Sequence, residues 1–119
     1  MSRKIPTEVI TYYNNELRGI VNRTIKRELG VSVDMQLTES GELTDNLADV
    51  DKKMRGNKIL RQLFKSARLY GYLYEFEDEV EVMLYVGYNH TNGGSNGHEM
   101  MTLWINKGEG KNKKVNIRK

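Results

Sequence analysis

From Tyr70 to Ile105 apolar and polar residues alternate with a period of two, and this constrains the fold more than any other feature of the sequence. The period predicts strands over about 70–77, 80–89 and 99–107, with a weaker one at 113–118. Between the middle two lies NHTNGGSNG, a run of turn-forming residues that predicts a long hairpin loop. Sequential strands joined by short turns make an antiparallel meander. Its two faces are unlike. Val80, Val82, Leu84, Val86, Met101, Leu103 and Ile105 share a plain aliphatic face, while Tyr70, Tyr72, Tyr74, Phe76, Met83, Tyr85, Met100 and Trp104 share the other.

The first half of the chain is helical in pattern. Pro6 and Thr7 precede a stretch in which Ile10, Tyr13, Leu17, Ile20 and Val21 fall on one face, and Gly30 supplies a stop, so a helix is expected over 7–29. Val31, Val33, Met35 and Leu37 then alternate as a half-buried strand that Ser40-Gly41 closes. Leu43, Leu47, Val50 and Met54 return to helical spacing behind the acidic Glu42, Asp45 and Asp49. After Gly56-Asn57, the residues Ile59, Leu60, Leu63, Phe64 and Ala67 continue that spacing, as one bent helix or a helix pair. The expected fold is α+β, with an antiparallel sheet of three to five strands, a long N-terminal helix and a second, basic helical segment. Residues 1–110 form one domain and 111–119 a basic tail, in part disordered. At 119 residues a single core suffices without cross-links, and the chain has no cysteine to make them. It holds no run of about 18 apolar residues, so no membrane partner is expected and a cytoplasmic location is the simplest expectation.

Charge comes in blocks of one sign. The net +3 divides into +3 for residues 1–30, −6 for 31–51, +7 for 52–68, −6 for 69–99 and +5 for 100–119. Such segments create local fields that attract a partner of opposite sign. On a helical wheel at about 100° per residue, Arg55, Lys58, Arg61, Lys65 and Arg68 fall on one side, opposite the apolar set. No acid compensates them, although mixed signs are what stabilise a solvent-facing helix. A row of cations suits nucleic-acid phosphates, with Lys111, Lys113 and Lys114 as helpers. The competing expectation is a solvated face near the acidic blocks. The order helix, strand, helix, helix, hairpin resembles a winged helix in topology. Its candidate wing, NHTNGGSNGHE, has no Lys or Arg, and the turn at Gly56 lacks helix-turn-helix spacing.

The aromatic face requires a cover, for which the sequence allows three. The N-terminal helix could lie across it and make three layers. A protein partner or a second copy, hence a homodimer, could dock through Tyr72, Tyr74, Tyr85 and Trp104. Stacked bases are disfavoured, because residues 69–99 hold six acids and neither Lys nor Arg.

Catalytic motifs are weak. Gly93-Gly94-Ser95-Asn96-Gly97 matches the G-x-S-x-G pattern, but no strand-elbow-helix is predicted around it. His90 and His98 flank the same loop and could face each other across it, with Glu99 beside them, as a general acid-base pair or a metal site lacking a third ligand. The leading expectation is therefore a small non-catalytic, intracellular protein that binds nucleic acid through its backbone and needs no cofactor or metal. An alternative is a modulator or inhibitor of a nucleic-acid-handling protein, of the kind carried by phages and mobile elements. A His-dependent nuclease ranks third.

Overall fold

The computed structural model describes residues 4–45, 56–108 and 113–118. Its N-terminal helix comprises α1 (Thr7–Tyr12), a π-helical turn (Tyr13–Leu17) and α2 (Arg18–Leu29). Pro6, with φ −62°, starts it without a backbone N–H to satisfy. Gly30 ends it in the left-handed region at φ 69°, its N–H donating to the Lys26 carbonyl at 2.9 Å. Buried Val9, Tyr13, Leu17, Val21 and Ile25 are spaced by four. In an α-helix each such step overshoots one turn by about 40°. The wider π-turn takes up part of that drift, so Tyr13 and Leu17 stay fully buried.

Among the described residues six strands follow: β1 (Gln36–Leu37), β2 (Glu42–Thr44), β3 (Phe64–Glu75), β4 (Glu79–His90), β5 (Ser95–Asn106) and β6 (Val115–Arg118). They form one antiparallel sheet in sequence order, one strand beyond the expected three to five. Val31 and Met35 are buried and Val33 half-buried, yet only Gln36 and Leu37 of the expected first strand pair, across the Thr38–Gly41 turn to β2. Leu43, expected to open a helix, instead lies in β2 and packs in the core; the rest of that segment, 46–55, lies outside the described residues.

The second basic helix is the main correction. Helix α3 (Lys58–Leu63) has only six residues, and the chain enters β3 at Phe64 without a break. Ala67, Leu69, Gly71 and Leu73 point inward at period two, which a register shift between Phe64 and Ser66 masks in the sequence. The long β4 offers pairing partners as far as His90, and that pairing outweighs local helical spacing. The winged-helix topology therefore does not form. Likewise the β4–β5 loop shrinks to Thr91–Gly94, with Gly93 at φ 99°.

The helix lies on the aliphatic face. Its stripe packs with Leu43, Leu69, Leu73, Val80, Val82, Leu84, Met101, Leu103 and Ile105 in a single core. It does not cover the aromatic face, and the physical reason is the cost of burial. That face carries four tyrosine hydroxyls with Glu81 and Glu99, each of which would lose water beneath an apolar stripe. Among the described residues the layers are two, not three. Among the described residues no helix is long and apolar enough to cross a membrane.

The segment entering β1 is tied back to the helix. Tyr13 Oη donates to the Met35 carbonyl at 2.7 Å, and burial pushes that phenol's pKa up. Arg18 grips Asp34 through Nε and Nη2 at 2.7 and 2.5 Å, and this pairing holds the carboxyl below its usual range. Asn22 accepts from the Met35 N–H at 2.9 Å, and Asp45 accepts from the Asp34 N–H at 2.6 Å. Tyr13→Phe leaves a buried carbonyl unpaired and is expected to lower stability by about 1–2 kcal/mol in urea denaturation. An unchanged midpoint would mean that the bond does not anchor this segment.

Candidate functional site

The register sorts the outer face into rows across β3, β4 and β5. Nearest the β4–β5 turn come Ser66, Asn89 and Ser95, then Arg68, Gly87 and Gly97, then Tyr70, Tyr85 and Glu99. After a bulge at Met100 follow Tyr72, Met83 and Thr102, with Arg118 of β6 alongside, and then Tyr74, Glu81 and Trp104. Tyr72, Tyr74, Tyr85 and Trp104, the proposed interface residues, thus share one face. No element among the described residues lies over it, and Tyr74, Phe76 and Met100 are exposed at 36, 48 and 36%.

The rings pack in two groups. Tyr70 and Tyr85 stack at 5.5 Å, Tyr72 meets both edge-on at 6.1 and 5.9 Å, and Phe76 lies 5.9 Å from Trp104. Burial among these neighbours, with Glu99 nearby, raises the Tyr85 pKa. Tyr70 lies flat across Gly87 and Gly97. A Cβ on Gly97 would come within 2.5 Å of its hydroxyl, so glycine is what lets the ring rest on the sheet. Arg68 stands over Tyr70 at 4.9 Å, with Glu42 3.7 Å from its guanidinium. With Gly87, Asn89, Ser95 and Gly97 these residues line a hollow of about 360 Å³.

The predicted phosphate-contacting residues do not form one helical row. Lys58 and Arg61 sit a turn apart on α3, while Lys65 and Arg68 belong to β3. All four are exposed, and only Arg68 has an acidic partner among the described residues. Asn57 caps α3 through the Ile59 N–H at 3.0 Å, and Thr91 of the hairpin turn binds the Leu63 carbonyl, which fixes this basic end. Arg55 and Lys111 lie outside the described residues. The covered Lys113 ammonium donates to the Gly108 carbonyl and pairs with Glu16 at 3.6 Å. Lys114 stands apart from the others. It lies beside Asn106, which pairs with Glu79, and so sits at the opposite end of the sheet from Lys58 and Lys65.

The acids gather at that opposite end. Glu75, Glu77, Asp78, Glu79 and Glu81 surround the β3–β4 turn, where Lys107 pairs with Glu75 at 3.2 Å. His90 and His98 are not cross-strand partners, since Val86 faces His98. Asn96 links them instead, at 2.7 Å to His90 Nε2 and 2.8 Å to His98 Nε2. Glu99 is on the other face, bonded to Thr102 at 3.0 Å. No group of three or more metal-ligating residues occurs among the described residues. Gly93 to Gly97 form the hairpin turn and the start of β5, not a nucleophile elbow.

Sequence reasoning missed Tyr70 on its glycine cradle and Asn96 between the histidines. The signal for the first was available, because glycine within a strand marks the close approach of another group. No protein-family model matches this chain, and no match is found among curated proteins or solved structures. Gly97→Ala is expected to cost about 1 kcal/mol by displacing Tyr70, and markedly less in a Tyr70→Phe background, where the hydroxyl is gone. Equal costs in the two backgrounds, read by urea denaturation, would contradict this packing.

Proposed function

We propose that this chain is a small non-catalytic, cytoplasmic protein that associates with nucleic acid through phosphate contacts at its basic end. The observation that carries this reading is the state of Lys58, Arg61 and Lys65. All three are solvent-exposed, within eight residues of one another, and without an acidic partner among the described residues. Exposed cations with no internal partner keep their full charge for phosphates, each of which releases counterions when neutralised. Among the described residues neither a groove-filling helix nor a base-reading constellation is at hand, so the contacts position the protein without reading sequence. Lys114 and Arg118 lie too far along the sheet to share the same few phosphates.

A second reading is docking to another protein, favoured by the uncovered rings of the outer face. Tyrosine, tryptophan and methionine are enriched at interface centres, and Glu79 and Glu81 at its rim favour a basic surface opposite. A phosphate-binding surface of a nucleic-acid-handling protein has that character, and occupying it would inhibit that protein.

In fluorescence anisotropy with labelled duplex DNA, the first reading expects binding at low salt that falls with a log-log slope of about −3, for three phosphates. Lys58→Glu, Arg61→Glu and Lys65→Glu together are expected to abolish it while thermal unfolding stays unchanged. Absence of binding at low salt, or a triple variant that binds as well, would overturn the reading.

A further inference from the structure

The outer face is complementary to itself in both charge and ring content. Arg68 lies in the second row from the β4–β5 turn, and Glu81 in the fifth. Between them stand Tyr70 and Tyr85 in one row, Tyr72 and Met83 in the next. Two copies of such a face can be apposed about a two-fold axis in the plane between the sheets. An axis along the strands would set each row against its own counterpart, so the end holding Arg68 would meet the same end and the end holding Glu81 likewise. An axis across the strands, between the third and fourth rows, reverses one sheet end for end and brings unlike rows together.

We infer that this face pairs with a second copy of the chain in the second arrangement. Arg68 then approaches Glu81 and Tyr74 of the second copy, Tyr70 meets its Tyr72, and Tyr85 meets its Met83. Glu99 faces the row that holds Arg118 at its edge. Each contact occurs twice, as an isologous interface requires. Arg68 keeps 62% of its side chain exposed despite Glu42, and Glu79 and Glu81 have no cationic partner among the described residues, so both ends are available. The size also fits. Three 12-residue strands about 4.8 Å apart and about 40 Å long, flanked by the short β2 and β6, give roughly 700 Å² per copy before twist, near the ~800 Å² per partner of a standard interface. This inference rests on the docking reading of the outer face and names its occupant, while Lys58 and Arg61 on α3 remain outside the apposed rows.

The test is sedimentation velocity of the purified chain, without nucleic acid, across a concentration and salt series. Wild type is expected to dimerise in the micromolar range and to weaken as salt rises. Arg68→Glu makes both ends of the face negative and Glu81→Arg makes both positive. Each alone is expected to raise the dimer dissociation constant at least about tenfold, and an equimolar mixture to form a heterodimer again. Circular dichroism establishes that both variants fold. A wild type monomeric throughout, variants that still dimerise alone, or a mixture that stays monomeric would overturn the inference. The first of these leaves docking to a different protein standing, and that reading fails separately if Trp104 and Tyr85 prove shielded in the monomer.

Discussion

The structure depends on an inequality between the two faces of one sheet. Along β3, β4 and β5 every inward position over the core is aliphatic or small, and the N-terminal helix can seal that side at no polar cost. The other side is rich in apolar surface too, but it is studded with hydroxyls and carboxylates that require water or a partner of their own. One helix can therefore settle in only one place. Its π-turn and the bonds from Tyr13, Arg18 and Asn22 to residues 34 and 35 then fix where β1 and β2 join the sheet edge.

Much of this was legible in the sequence because period-two alternation survives wherever one face is buried. The facing of Val80 to Val86 and of Met101 to Ile105, and the helix ending at Gly30, follow from local patterns alone. The start of β3 was not. Phe64 and Ala67 continue the helical spacing of Leu60, and what makes the chain from Phe64 onward a strand is pairing with residues some twenty positions away. Lys65 and Arg68 were thereby moved from a helix wheel to a sheet. The surroundings of Lys113 were not legible for a related reason, since the Glu16 that pairs with it is about a hundred residues distant in sequence. The identity of the aromatic face was legible; its lack of a cover among the described residues was not, because that depends on which face the helix takes.

Charge blocks along the chain become a polarity in space. Strand pairing gathers Glu75 to Glu81 at one end of the long hairpins, while α3 and the start of β3 hold Lys58, Arg61, Lys65 and Arg68 at the other. The separation follows from the meander, since β3 enters at the basic end and leaves at the acidic one. It gives the molecule one basic end and one acidic end.

The central claim is that the described elements of the fold leave the aromatic face open. Trp104, the sole tryptophan, sits on that face and reports on it directly. The decisive measurement is acrylamide quenching of its fluorescence at protein concentrations low enough to hold the monomer. The account predicts ready quenching there, diminishing as concentration rises and a second copy covers the ring. Strong shielding at every concentration would contradict it, because some part of the same chain would then have to lie across the face.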